Sequence, residues 1–248
     1  MRVATVSDKG MVRKVNQDNI FASSGHVGGL PNLYVVADGM GGEKAGGCAS
    51  KCTIRYLVEY LQNNSSTGNL PASLLVDGID YANFAVYEKA SKNGALKGMG
   101  TTIVAASIVD RIMYVCNVGD SRLYLVNNNI KQITRDHSYV EEMVLKGLID
   151  RNSEEYRKNK NLITRAVGVK KELNIDVFEV DLEKDDIVLL CSDGLTNMIS
   201  DEDIFKIIKG ADSLEGAARK LVGTANCCGG MDNISVILAA YGTDEVAL

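Results

Sequence analysis

The sequence predicts an α+β layered fold in which mainly antiparallel sheets are covered by helices. Three observations predict it. Nine short runs rich in Val, Ile and Tyr are bounded by Asp, Asn and Gly, the signature of strands. Two long segments carry apolar residues at the helical period of 3.6. The order of elements is strands, two long helices, strands, two shorter helices and a last strand, which is not the strict alternation of βαβ units.

The expected strands are Arg2–Ser7, Asn19–Ser23, Leu33–Ala37, Thr102–Val109, Met113–Val118, Arg122–Val126, Ile175–Val180, Ile187–Cys191 and Ile234–Ala240. The first expected helix, Gly46–Asn63, places Ile54, Leu57, Val58 and Leu61 on one face. The second, Pro71–Ser91, does the same with Leu74, Leu75, Ile79, Ala82, Ala85 and Val86. Two shorter helices are expected at Asp201–Lys209, opening at Ser-Asp-Glu-Asp, and at Ser213–Thr224. Gly147–Asn161 is polar, charged and aperiodic, and is expected to form an exposed, mobile flap. Neither an internal repeat nor a domain boundary is evident, so residues 1–248 are expected to form a single domain.

Composition narrows the function. The 248 residues are 46% hydrophobic and 24% charged, ordinary for a soluble globular chain. The net charge of -5 and the absence of any basic arm argue against nucleic acid as a partner. No stretch reaches the 18 uncharged apolar residues that membrane insertion needs. The N-terminus lacks a secretory pattern, and six cysteines without one point to a reducing cytoplasm. Cys116 and Cys191 fall in apolar strands and are expected to be buried thiols. The protein is expected to act as a monomer.

Four short pieces set an acidic residue where an apolar run begins or ends: Val35–Gly39, Val118–Ser121, Leu190–Gly194 and Met231–Ile234. An Asp-Gly pair after a strand is most often a turn, favoured there for local reasons. Together, however, the pieces supply Asp38, Asp120, Asp193 and Asp232 at the rim of what reads as one pair of sheets. Like charges so placed repel unless cations neutralise them. Oxygen-only ligands suit Mg²⁺ or Mn²⁺ rather than zinc. Gly39 lacks the Cβ that would keep a backbone carbonyl out of such a shell. A fifth piece, Arg13–Asp18, sets a guanidinium before another carboxylate, and a guanidinium can fork around two phosphate oxygens.

Ser7-Asp8-Lys9-Gly10 with Arg13 and Asn16-Gln17-Asp18 resembles the opening motif of PP2C-type (PPM) phosphatases. Ala37-Asp38-Gly39-Met40-Gly41-Gly42 resembles their second motif in its bacterial form. Gly100-Thr101-Thr102, Val118-Gly119-Asp120-Ser121-Arg122, Asp136-His137-Ser138, Leu162–Gly168, Ser192-Asp193-Gly194-Leu195 and Asp232-Asn233-Ile234-Ser235 resemble later ones, in the family's order and across nearly the whole chain. The resemblance implies a four-layer αββα sandwich, two antiparallel sheets flanked by helices. It implies that Asp38 bridges two cations, Mn²⁺ or Mg²⁺, and that Asp193 and Asp232 complete the first site. The Gly39 carbonyl would serve the second, with Asp18 acting through water. Asp120, with Asp193, would match a third, weaker position. Arg13 would hold the substrate phosphate. Two departures stand out: Gln17 and Met40 occupy positions where some eukaryotic members carry an acidic residue and a histidine. A histidine general acid is therefore absent at that position.

The reaction implied is hydrolysis of phosphoserine and phosphothreonine on proteins, reversing a Ser/Thr kinase that is itself expected among the substrates. Two cations sharing a hydroxide lower its pKa toward neutrality, and the hydroxide attacks phosphorus in line with the leaving oxygen. Arg13 and the cations stabilise the equatorial oxygens. Three rivals compete. Cys116-x5-Arg122 has the spacing of a cysteine-dependent phosphatase, but a reactive thiolate needs an electropositive loop, and Asp120 sits inside this one. The glycine-rich Met40–Gly47 lacks the Lys-Ser/Thr ending of a nucleotide loop. A binding module that kept the fold would have little reason to keep every metal carboxylate. His26 and His137, the two histidines, are too few for a histidine-based site, and His137 is expected to be a structural loop residue.

Overall fold

The computed structural model describes residues 1–65 and 70–242, with Glu43 and Lys44 described as backbone only. Its strands are β1 (Arg2–Asp8), β2 (Asn19–Ser23), β3 (Leu33–Ala37), β4 (Gly39–Met40), β5 (Gly100–Thr101), β6 (Ile103–Val109), β7 (Ile112–Val118), β8 (Arg122–Val126), β9 (Ile130–Gln132), β10 (Asp176–Asp181), β11 (Ile187–Cys191) and β12 (Ile234–Ala240). Its helices are α1 (Gly42–Asn63), α2 (Pro71–Lys92), α3 (Tyr139–Leu145), α4 (Glu154–Asn159), α5 (Asp193–Thr196), α6 (Asp201–Lys209) and α7 (Leu214–Cys227).

Two five-stranded sheets form, in the orders β1-β12-β11-β8-β9 and β10-β7-β6-β3-β2, and β4 and β5 add a small ribbon. Neighbouring strands pair antiparallel throughout. The two-residue period of each strand sorts its side chains between two cores. In β3, Leu33, Val35 and Ala37 face α1 and α2, while Tyr34 and Val36 face the other sheet. In β12, Ile234, Val236 and Leu238 face α6 and α7, while Ile237 and Ala239 point inward. Three apolar layers thus separate four layers of structure, the αββα sandwich that the resemblance implies.

The nine expected strands and four expected helices all form, most within one or two residues of their expected ends. The first helix starts earlier than expected, at Gly42, because its opening turns hold Gly42, Gly46 and Gly47, which carry no apolar period. The flap differs more. Gly147–Asn161 stays at the surface, with no residue buried, but it contains α4. End effects make that helix: the Ser153 hydroxyl accepts from the Tyr156 amide, Glu154 and Glu155 occupy the first turn, and Arg157 and Lys158 the last.

Antiparallel pairing brings the ends of β3, β7 and β11 and the starts of β2, β6, β8 and β12 to one edge of the sandwich. Ala37 pairs with Asn19, Val118 with Ile103, and Cys191 with both Arg122 and Val236. The loops at this edge carry all the candidate aspartates.

Candidate metal and phosphate site

Arg13, Asp38, Gly39, Asp120, Asp193 and Asp232 line one cleft of about 600 Å³, and Asp18 is buried behind Asp38. The structure therefore brings together the residues expected to hold cations and phosphate.

Asp38 ends β3, and its main chain is pinned on both sides. Its amide donates to the Thr102 hydroxyl (2.9 Å), and its carbonyl accepts from the Thr101 hydroxyl (2.7 Å) and the Thr102 amide (2.9 Å). Its carboxyl faces those of Asp18 and Asp193. Burial and the neighbouring charges of Asp18, Asp193, Asp120 and Asp232 hold it well above the usual carboxylate range. Gly39 has a steric reason to be glycine: a Cβ there would stand 2.2 Å from the Gly46 carbonyl oxygen of α1.

Asp18 precedes β2. Its Oδ2 accepts from the hydroxyls of Ser192 (2.8 Å) and Ser235 (2.7 Å), while its buried Oδ1 has no partner. Burial pushes it up to about 6, with the two hydroxyls opposing. Asp193 opens α5, where Asn197 donates to its Oδ2 at 2.9 Å, and its Oδ1 is likewise unpartnered. Burial and then the charge of Asp232 raise it. Asp120 follows Gly119, whose φ of 109 needs glycine, and burial ahead of Asp193 pushes it up to about 8. Asp232 precedes β12. Its Oδ1 accepts from the Asn233 amide (2.8 Å), and its Oδ2 pairs with Arg13 at 2.6 Å. That pairing raises the Arg13 guanidinium further.

Among the described residues, no three Asp, Glu, His or Cys side chains are drawn tightly enough to form a coordination shell as they stand. The donor set nonetheless fits hard cations. Asp38 faces the charges of four other carboxylates, two buried carboxylate oxygens are orphaned, and the groups are acidic oxygens throughout.

Several functional side chains carried no assigned role in the sequence. Asn233 clamps the Arg13 loop: its Oδ1 accepts from the Gln17 amide (2.8 Å), and its Nδ2 donates to the carbonyls of Lys9 (2.9 Å) and Val15 (3.0 Å). Ser192 and Ser235 orient Asp18. The usable signal was a polar residue beside a buried strand, which must find a partner. His137 is buried and structural, as expected. Its Nδ1 accepts from the Gly119 amide (3.1 Å), so its Nε2 is assigned the proton, facing Asp176 Oδ2 at 3.1 Å. It thereby shapes the Asp120 turn. Gln17 tethers the start of α1 through the Gly42 carbonyl (2.7 Å), and Met40 packs on Gly100. Cys116 is buried with its thiol pushed up to about 12 by desolvation. Arg122 is forked onto Asp136, with Nε at 3.0 and 3.1 Å and an amino group at 2.7 Å. A cysteine-dependent phosphatase is excluded by that pair of facts.

Carboxylates crowded this way call for cations, and cations beside a guanidinium suit cleavage of a phosphate ester. The class is that of metal-assisted phosphatases. Known proteins narrow it: the chain belongs to the protein phosphatase 2C family, whose pattern it matches over residues 11–221. It is a serine/threonine protein phosphatase. The serine/threonine phosphatase stp of Listeria welshimeri is 37% identical over 237 residues, which cover 94% of this chain and 92% of that one. A crystal structure of a bacterial serine phosphatase matches with a TM-score of 0.91 at 34% identity, covering 99% of this chain and 100% of the other. The catalytic domain of the phosphatase PstP, solved with two manganese ions, matches with a TM-score of 0.84 at 32% identity, over 96% and 97% of the two chains.

Proposed function

We propose that Asp38, Asp193, Asp232, Asp18 and the Gly39 carbonyl hold two Mn²⁺ or Mg²⁺ ions, that Asp120 with Asp193 holds a third more weakly, and that Arg13 binds the substrate phosphate. The observation that carries this reading is the convergence of Asp38, Asp120, Asp193 and Asp232 on one cleft with Asp18 buried behind them, a crowding of carboxylates that needs a positive charge at neutral pH. When bound, such cations activate water as a nucleophile and neutralise charge on a phosphoryl group.

The chain's own residues do the rest. Arg13 forks onto the phosphate oxygens once Asp232 is neutralised by other means. Thr101 and Thr102 hold the Asp38 backbone, so its carboxylate needs little reorganisation. Ser192 and Ser235 keep Oδ2 of Asp18 occupied and leave Oδ1 as the free acceptor. With Met40 facing the cleft, the leaving oxygen takes its proton from water ordered by Asp120 rather than from a histidine.

Phosphoserine and phosphothreonine arise from Ser/Thr kinases, which supports a role in reversing such a kinase and in acting on the kinase itself. Six free cysteines suit a reducing cytoplasm, and no helix among the described residues is long and apolar enough to cross a membrane. A single-domain monomer with 147–161 as its flap completes the reading. The experiment is hydrolysis of a phosphothreonine peptide with Mn²⁺, with EDTA, and after thiol alkylation. Activity that needs the cation and ignores alkylation is expected; activity in EDTA would refute it.

A further inference from the structure

We propose that this phosphatase favours phosphoprotein segments with an apolar side chain beside the phosphoresidue, received on a shelf made by Met11, Val12, Val15 and Met231. The inference rests on the reading of the cleft above. Val12 and Val15 line that cleft together with Arg13 and Asp232. A polypeptide whose phosphate enters beside Arg13 brings its neighbouring residues within reach of this rim.

This side of the rim carries four exposed apolar side chains around the exposed Arg13 and Lys14. Met11 is 69% exposed, Val12 57%, Met231 57% and Val15 49%. Single apolar residues on a surface are ordinary, but several bordering a polar cleft mark a contact surface, and Met11 is brought beside Gly230, the neighbour of Met231.

The shelf is also held rigidly. The amides of Met11 and Val12 both donate to the Gly230 carbonyl, at 2.8 and 3.2 Å. Gly10, at φ 77, packs so closely that a Cβ would stand 2.1 Å from the Asp232 carbonyl oxygen. Asn233 ties the far side of the same loop through Lys9 and Val15. Met11 lies against Gly230, and the sulfurs of Met198 and Met231 lie beside Gly229. The backbone is thus preorganised, while the methionine side chains stay unbranched and polarisable and adapt to different apolar partners. Continuity with the phosphate site commits the shelf to substrate.

The test uses two phosphothreonine peptides that differ only at the flanking positions, Leu and Met in one, Ser and Gly in the other. With Mn²⁺, the wild type is expected to show about tenfold higher kcat/KM on the apolar-flanked peptide, mostly through KM. The double variant Met11→Ser, Met231→Ser should bring that ratio near one. Met11→Gln with Met231→Gln serves if the serine variant does not fold. Equal wild-type values, or a ratio that survives both variants, would overturn the proposal. Hydrolysis of neither peptide would overturn the reading of the cleft itself, and this inference with it. Sedimentation adds one arm: a wild-type dimer that the variant dissolves, with no change in ratio, assigns the shelf to a second copy of the chain and overturns the proposal.

Discussion

Without cations the crowded carboxylates are a liability that pH exposes, and Asp18 allows the effect to be sized. It is buried, and its folded value of about 6 stands above an ordinary 3.8. The folded protein therefore holds this proton more tightly than the unfolded chain. The stability it confers is fully present below pH 3.8 and is lost as pH rises through about 6. The difference corresponds to about 3 kcal/mol, or about 6–12 °C in Tm for a chain of this size.

The perturbation is Asp18→Asn, which keeps the shape and removes the titration. Melting curves in EDTA from pH 4.5 to 7.5 should show the wild type falling more steeply than the variant, by about two thirds of that margin, the share that is lost above pH 4.5. The comparison cancels groups such as Asp176, whose value His137 and Arg165 lower and whose contribution runs the opposite way, present at high pH and lost in acid. Saturating Mn²⁺ should erase or reverse the wild-type slope, because cations and protons compete for the same oxygens. Parallel EDTA curves for the two proteins would refute the reasoning.

Asp38→Asn, Asp193→Ala and Asp232→Ala should each lower phosphopeptide turnover by at least roughly a hundredfold while leaving a folded protein by circular dichroism; near-normal activity of Asp193→Ala would remove it from the site. Arg13→Ala should raise KM about tenfold, more than it lowers kcat, and unchanged phosphopeptide kinetics would exclude the phosphate contact. Asp120→Ala should keep the two tight cations in calorimetry, lose a weak binding event and turn over poorly; loss of the tight pair, or full activity at every cation concentration, would contradict a third-cation role. Alanine substitutions at Arg151 and Tyr156 should change phosphopeptide activity more than hydrolysis of a small aryl phosphate, and equal effects would argue against substrate selection by the flap.

Most of this architecture was legible because the informative patterns are local. A strand such as Leu33–Ala37 or Ile234–Ala240 announces itself by β-branched residues between turn formers. The carboxylates announce themselves as the same acidic punctuation repeated where apolar runs begin or end. What stayed hidden depends on end effects or on distant partners. Three glycines mask the opening turns of α1, α3 is short and starts at a Ser138 cap, and a cap at Ser153 makes α4 without an apolar period. The roles of Ser192, Ser235 and Asn233 could not be read, because Asp18 lies 174 and 217 residues from its two serines. Asn233 likewise reaches back 216 residues or more to each of its loop partners.

Asn233 shows how the two halves of the site depend on one clamp. The segment from Lys9 to Gln17 has no regular structure of its own beyond turns. One buried side chain satisfies the Gln17 amide and the carbonyls of Lys9 and Val15, and so sets where Arg13 emerges. The backbone amide of the same residue holds Oδ1 of Asp232, leaving Oδ2 to face Arg13 at 2.6 Å. Asp232 Oδ2 can neutralise either that guanidinium or a cation, and the guanidinium can hold either Asp232 or a phosphate. On the reading proposed here, each exchange favours the other: once Asp232 turns to a cation, Arg13 is left without its counter-charge at the mouth of the cleft, where a phosphate dianion replaces it. Metal binding and substrate binding are then coupled through a single ion pair. The loop that carries Arg13 need not move for the coupling to operate, because Asn233 holds it on both sides.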